Sequence, residues 1–334
     1  MKTVFYLTGD NVELARAEVL ALTNSKSYDF VDRLLITDSD EDFSDRLSLV
    51  HSSYKLLFRC PISKLKKSIE SFDWFSVYDK DYCVRIIHSP GVSHFVEKEV
   101  AGFVWDTLND QYVNQVNKGV KFKHKILVNL TNAKSVFNFF ITNKGVFVCK
   151  KLNDIDKSFF DRWPHKRPCF HPTSITSKLA RCCVNLSGIK KGSFYDPFCG
   201  IGAILIEGGM MGFKAIGSDI SEMKLRMCKI NLDHYKLKAS LFKQDALKLK
   251  KNSYDFIMTD PPYNRNEKVD QSVDSFYKSF LMSAYNSLRK NGTLVMLSPH
   301  YVNVVKLNPG FKIQAKVSSF VHGSLTRIVF VLKK

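Results

Sequence analysis

The sequence is short of acid: 32 Asp and Glu face 50 Lys and Arg in 334 residues, a formal net charge of +18. That excess excludes little about the fold, but it points to a polyanionic partner, either nucleic acid or an anionic membrane surface. Long apolar runs are also missing. No stretch reaches 18 uninterrupted apolar residues, so no transmembrane helix is expected. The opening MKTVFYLTGDNVELARAEV lacks the apolar core of a signal peptide. The membrane reading weakens, and a cytoplasmic protein is expected. The 8 cysteines (Cys60, Cys83, Cys149, Cys169, Cys182, Cys183, Cys199 and Cys228) form no CxxC pair, so no zinc framework or other metal site is expected. Scattered through apolar segments, they read as reduced, buried thiols. There is no internal repeat and no low-complexity tract.

What is present divides into two styles of sequence. Residues 3–8 read as a strand, and 11–23 follow with helical spacing at Val12, Ala15, Val19 and Leu22 behind an Asp10–Asn11 start. YDFVDRLLIT and SSYKLLFRC read as extended, and LKKSIESFDWF as helical, which suits a small α+β sandwich. From about 80, DYCVRIIHS reads as a strand, FVEKEVAGFVWDTLND as a long helix, and KILVNLT, KSVFNFFIT and GVFVCKK as three strands. FFITNKGVFV is a hairpin, with Asn143–Lys144–Gly145 supplying residues that tolerate positive φ. Residues 153–175 hold three prolines, mixed charge and no period, and read as a basic, aromatic linker. Beyond it, SFYDPF, KAIGSD, SLFKQDA, YDFIMTD and TLVMLSP alternate with helical stretches and end in the pair FKIQAKVSSF and RIVFVLKK. Near-continuous apolar strands separated by helices predict a doubly wound, mostly parallel α/β sheet closed by an antiparallel hairpin.

In such sheets ligands gather at the C-terminal strand ends. The first strand ends in DPFCGIG, from Asp196 through Phe198, Cys199 and Gly200 to Gly202, whose glycines allow a tight turn and close backbone approach. The six-residue dinucleotide fingerprint and the P-loop lysine are both absent, which disfavours a pyrophosphate ligand. The second strand ends at Asp219–Ile220, where a carboxylate can accept ribose hydroxyls. Asp219 can equally cap the helix that starts at Ser221. The third ends at Asp245–Ala246, where the acid can face an adenine amine or serve as a turn residue. The fourth ends in Asp260–Pro261–Pro262–Tyr263. Together these are the sites of a methyltransferase that binds S-adenosylmethionine.

The fourth end names the target atom. Two prolines stop a strand abruptly and fix a stiff platform. An exocyclic base amine is a poor nucleophile because its lone pair is delocalised into the ring. If Asp260 and a proline carbonyl accept its N–H groups, the lone pair can turn to the methyl donor while the developing charge is stabilised. Tyr263 can stack on a flipped base. A carbon-directed enzyme needs a nucleophilic cysteine near this strand, and none is there.

At RPCFHPTSITSKLARCCVNLSG, DPFCGIGAILIEGGMMGFKAIGSDI, TDPPYNR and HGSLTRIVFVL the sequence resembles the THUMP-domain tRNA guanine-N2-methyltransferases of archaea and eukaryotes, most closely those acting at tRNA position ten. The resemblance covers the whole chain. It implies a ferredoxin-like domain over 1–75, a THUMP RNA-binding domain over 76–152, a linker over 153–171 and a Rossmann-like class I methyltransferase domain over 172–334. It also implies tRNA as partner, and in some relatives a small zinc-containing activator subunit. Asp260 and Pro261 would orient the amine, while Asp196, Gly200, Gly202, Asp219, Asp245 and their neighbours would hold the cofactor. Arg85, Lys121, Lys123, Lys125, Arg162, Lys166, Arg167 and Arg265 are candidate phosphate contacts. Two residues depart from the pattern: Asn264 stands where glycine is usual, and Ile201 where threonine is common. The position-six enzyme, an adenine-N6 methyltransferase sharing the DPPY logic and a non-catalytic RNA-binding protein remain alternatives.

Overall fold

The computed structural model describes residues 2–92, 94–121, 125–172, 174–263, 272–322 and 325–334. The chain divides into two compact units. Met1–Leu7, Ser25–Glu41 and Val50–Asp154 form the first; Thr8–Asn24, Asp42–Leu49 and Ile155–Lys334 form the second. The helices are α1 (Val12–Thr23), α2 (Leu65–Ser71), α3 (Glu97–Asn117), α4 (Ser177–Leu186), α5 (Ala203–Met210), α6 (Glu222–His234), α7 (Val273–Ser287) and α8 (Val304–Leu307). None among the described residues is long and apolar enough to cross a membrane.

The first unit is built on strands β1 (Thr3–Leu7), β2 (Tyr28–Val31), β3 (Leu34–Thr37), β4 (Val50–Cys60), β5 (Tyr82–His88), β6 (Ser135–Thr142) and β7 (Gly145–Asp154). They form one sheet in the order β2-β3-β1-β4-β7-β6-β5, antiparallel except where β5 joins β6. Its core centres on buried Trp74, whose ring meets Phe72, Phe137 and Phe139 at 5.0, 5.0 and 6.1 Å. In the β6–β7 turn only Gly145 takes positive φ (114°). A Cβ there would lie 2.7 Å from the Cys60 carbonyl oxygen, so the turn depends on glycine rather than on Asn143 or Lys144.

KILVNLT is not a strand in the described residues, which hold only a single bridge between Val128 and Tyr82. The Asn129 side chain accepts from the N–H groups of Thr131 and Asn132 and donates to Asp81, and this local turn replaces a ladder.

The second unit carries β8 (Ser193–Asp196), β9 (Lys214–Asp219), β10 (Ala239–Lys243), β11 (Tyr254–Thr259), β12 (Leu288–Pro299), β13 (Lys312–His322) and β14 (Leu325–Lys333). Their order is β10-β9-β8-β11-β12-β14-β13, parallel through β12 and antiparallel in the last two pairings. This is the expected doubly wound sheet with a closing hairpin. The order reverses at β8 and β11, so their C-terminal ends flank the crevice where a ligand sits.

Two features of this unit escape the sequence pattern. Helix α1, near the start of the chain, packs here: Asn11 caps it, and Leu14, Ala15, Glu18, Val19 and Leu22 are buried. Glu18 accepts from Ser48, Leu49 and the Asn185 amide of α4. The stretch after β7 is also ordered, with short 3-10 turns at Ser158–Arg162 and Pro164–Lys166 and a buried Phe159.

Candidate active site

The first strand end is tied on three sides. Asp196 is only 2% exposed, and its Oδ1 accepts from the Thr259 hydroxyl at 2.6 Å and from the Phe198 N–H at 3.1 Å. One carboxylate therefore joins the ends of β8 and β11. Burial pushes this acid up to about 7, against the pull of those two donors. The loop then turns through Gly200 (φ 51°) and Gly202 (φ 95°). A Cβ on Gly202 would stand 2.8 Å from the Cys228 sulfur, so α6 leaves room here for glycine alone. Asp219 closes the loop from β9: its Oδ2 accepts the Gly200 N–H at 3.1 Å and its Oδ1 the Ser221 N–H at 2.9 Å. Each oxygen keeps lone-pair capacity for a further donor. Ser221 itself caps α6, so Asp219 serves the loop rather than the helix. Ile220 beside it is 68% exposed. Asp245 caps the turn after β10: its Oδ1 accepts the Leu247 N–H at 2.9 Å, with Ala246 buried behind it.

The fourth strand end forms a separate hydrogen-bonded corner. Asp260 follows β11 directly, with Pro261 buried and Pro262 exposed. The Tyr263 hydroxyl donates to Asp260 Oδ1 at 2.5 Å and accepts from Arg327 Nε at 2.9 Å. The Tyr263 carbonyl accepts from the Tyr301 hydroxyl at 2.6 Å, and the Pro262 carbonyl from the Tyr277 hydroxyl at 3.4 Å. Burial pushes Asp260 up to about 6, with Arg327 and the Tyr263 hydroxyl pulling it back down. Raised towards neutrality, this acid is a better proton acceptor than an exposed aspartate.

Residues 164–328 match the family described as RMKL-like, methyltransferase domain. A tRNA (guanine(10)-N2)-dimethyltransferase of Methanothermobacter thermautotrophicus is 29% identical over the full length of both chains. A probable tRNA (guanine(10)-N2)-dimethyltransferase of Methanothermococcus thermolithotrophicus is 36% identical over 168 residues, 47% of this chain and 98% of that one. The chain belongs to this methyltransferase family. Its fold is also that of the crystal structure of TrmN from Thermus thermophilus, which it matches over all of both chains with a TM-score of 0.55 at 19% identity.

Family membership throws the remaining candidates into relief. Phe198 is half-buried, its ring 5.0 Å from that of Phe280, and Cys199 is buried. The 8 cysteines are all free thiols; the Cys228 contact and then burial raise Cys199, and burial raises Cys183, rather than activating either. Arg162 and Arg167, read above as phosphate contacts, are corrected by the structure. Both are 4% exposed. Arg162 grips Glu207 through Nε at 2.7 Å and Nη2 at 3.0 Å, Arg181 joins the same carboxylate at 3.1 Å, and Arg167 donates to the Arg162 carbonyl. A guanidinium spent on a buried carboxylate cannot meet a phosphate. Arg85 is half-engaged, paired with Glu97 and donating to the Leu130 carbonyl, while Lys166 stands 3.6 Å from Asp161. Lys121 and Lys125 are exposed on the first unit. Lys123, Asn264 and Arg265 lie outside the described residues.

Sequence reasoning missed Thr259, Tyr277, Tyr301 and Arg327. The one available signal for Arg327 was a cation near the start of the otherwise apolar strand LTRIVFVL.

Proposed function

We propose that this chain is a tRNA (guanine(10)-N2)-dimethyltransferase that uses S-adenosylmethionine. The observation that supports it best is Asp260, held at the end of β11 beside a cofactor loop tied by Asp196 and Asp219. The residues fit the cofactor: the Gly200–Gly202 turn presents bare backbone, and Asp219 retains acceptor capacity at the adjoining strand end. Asp219 would take the ribose hydroxyls, Ile220 would cover the adenine, and the Gly200–Gly202 backbone would line the methionine side. When bound, the cofactor supplies an electrophilic methyl on a sulfonium.

The chain's own residues do the rest. Asp260 Oδ1 and the Pro261 carbonyl accept the N–H groups of the guanine amine and hold its lone pair on the methyl. As the N–C bond forms and the S–C bond breaks, nitrogen becomes positive and the Asp260 carboxylate stabilises that charge. The surplus proton passes to Asp260, an acid held near neutrality. A singly methylated amine retains one N–H, so the same acceptor can orient it for a second transfer. Tyr263 stacks on the flipped base.

We also carry forward a THUMP domain at 76–152 between a ferredoxin-like domain (1–75) and a linker (153–171), with catalysis in 172–334 and the chain acting in the cytoplasm. The zinc-containing activator subunit belongs to the same proposal; full activity of the chain alone would dismiss it. The deciding experiment incubates unmodified tRNA with enzyme and cofactor, then maps methylated nucleosides by mass spectrometry. N2-methylated guanosine at position ten is expected. Modification at position six, methylated adenosine or no methyl transfer would each overturn the reading.

A further inference from the structure

Arg327 has no assigned role, yet it stands at the centre of the catalytic corner. It enters on β14, in register with Pro299 of β12 and Ser319 of β13. Its Nε donates to the Tyr263 hydroxyl at 2.9 Å, that hydroxyl donates to Asp260 at 2.5 Å, and the guanidinium carbon lies 5.6 Å from the Tyr263 ring centre. A hydroxyl has a single hydrogen to give. With Arg327 donating to its oxygen, that hydrogen is aimed at the carboxylate.

The charges around Asp260 make the arginine matter. Asp196 reaches it from β8, the Cys183 thiol from α4, the Tyr277 phenol from α7 and Tyr263 from its own loop. Burial holds Cys183, Tyr263 and Tyr277 neutral, and the charge of Asp260 adds to the upward push on them and on Asp196. Among the described residues, Arg327 is the cation that acts on Asp260. A protonated Asp260 keeps a carbonyl acceptor but loses the charge that stabilises the nitrogen as it becomes positive, and it can no longer take the surplus proton. There is a second consequence. The Tyr263 hydroxyl occupies one site on Asp260 Oδ1, and Arg327 Nε fixes that hydroxyl, so the carboxylate is held in one orientation with acceptor capacity left for the amine.

We propose that Arg327 is a positioning residue for methyl transfer: it keeps Asp260 ionised and, through the Tyr263 hydroxyl, holds the carboxylate in the orientation that meets the base amine. This rests on the reading of Asp260 as the acceptor of the guanine amine.

The test is the pH profile of single-turnover methylation from pH 5 to 9, with saturating tRNA and cofactor, for wild type, Arg327→Lys and Arg327→Met. Removing an adjacent cation releases a carboxylic acid upwards by about 1–3 units. The acid limb of Arg327→Met should therefore move up by about that much, with its rate recovering at the alkaline end only to the level of Arg327→Lys, which lacks the same Nε contact. Arg327→Lys keeps the charge but loses the Nε geometry, so its limb should stay with wild type while its rate falls at every pH. Cofactor affinity, measured in each variant, should be unchanged; if Arg327→Met does not bind cofactor, Arg327→Gln replaces it. An unmoved limb in the neutral variant overturns the proposal, as does an equal loss at all pH values. A drop in tRNA affinity with an unmoved limb overturns it too, because Arg327 would then be gripping a phosphate. Failure of wild type to methylate guanosine would instead sink the functional reading, so the two failures are distinguishable.

Discussion

The Gly200 N–H donates to the Asp219 carboxylate at 3.1 Å, linking the cofactor loop of β8 to the end of β9. The same oxygen that would meet a ribose hydroxyl also fixes the backbone that approaches the rest of the cofactor. Asp219→Ala removes both, and hydrogen bonds to a charged group are worth about 1.5–3 kcal/mol each. Cofactor affinity should drop on the order of a hundredfold or more. Calorimetry showing wild-type affinity would remove Asp219 from the site.

Gly202→Ala should fail for two separable reasons. The position needs φ of 95°, and the new Cβ would meet the Cys228 sulfur at 2.8 Å. A loss of about 1–3 kcal/mol is expected, with weakened cofactor binding. Pairing it with Cys228→Ala relieves the clash but leaves the backbone strain, so the double variant should recover part of the loss. Full recovery, or none, would show that only one of the two causes operates.

Asp260→Asn keeps shape and one acceptor but withdraws the negative charge from the amine. Because charge grows on nitrogen only as the methyl moves, the loss should fall on turnover, about 10²–10³ in single-turnover rate. Cofactor and tRNA affinities should hold within about a factor of a few, roughly 1 kcal/mol. A near-normal rate would make Asp260 a rigid turn residue.

The buried acid Asp196 predicts a stability signature. Its folded-state value is pushed up to about 7, against about 4 for an unfolded aspartate. The folded chain therefore binds the extra proton between those values. The stabilisation tied to this group is complete below about pH 4 and is lost as pH rises through about 7. Asp196→Asn keeps the acceptor for Thr259 and Phe198 and never ionises. Relative to wild type it should gain about 2–3 kcal/mol between pH 5 and pH 8 in chemical denaturation. A difference that stays constant with pH would show that Asp196 does not titrate there.

Arg162 and Lys125 should part company. Arg162→Met leaves the buried Glu207 carboxylate with Arg181 alone and removes two charged hydrogen bonds, so it should cost about 2–4 kcal/mol of stability. Lys125→Ala should leave stability alone and, if that side chain meets a phosphate, reduce the salt slope of tRNA binding by about 1. Thermal melting and salt-dependent binding on the same two variants check both halves. A stable Arg162→Met that binds tRNA poorly would restore the arginine to the RNA surface.

The sheet and its acids were legible because parallel strands buried on both faces print apolar runs, and each run stops where the ligand chemistry begins. Asp219 and Asp260 could be found by reading those stops in order. Arg162 could not, since its partner Glu207 is 45 residues away inside AILIEGG, which reads as helix whatever it pairs with. Glu18 was illegible for the same reason. A carboxylate inside the apolar stripe of α1 looks like a surface residue until Asn185, 167 positions later, is seen donating to it. Arg327 hid because one cation in an apolar strand breaks no periodicity. Long-range polar pairing leaves no local trace.

That Glu18–Asn185 contact also sets a timetable for synthesis. Helix α1 ends at Thr23 and α4 begins at Ser177. At a translation rate of about 5–20 residues per second, the ribosome needs about 8–30 s to deliver the second helix after the first. Through that interval Leu14, Val19 and Leu22 have no α4 to cover them, although Ser48 and Leu49 arrive early enough to meet Glu18. The nascent chain thus carries a bare apolar stripe near its beginning until its catalytic half emerges. A chaperone that scans for such stripes has its longest window on this protein at the end farthest from the chemistry.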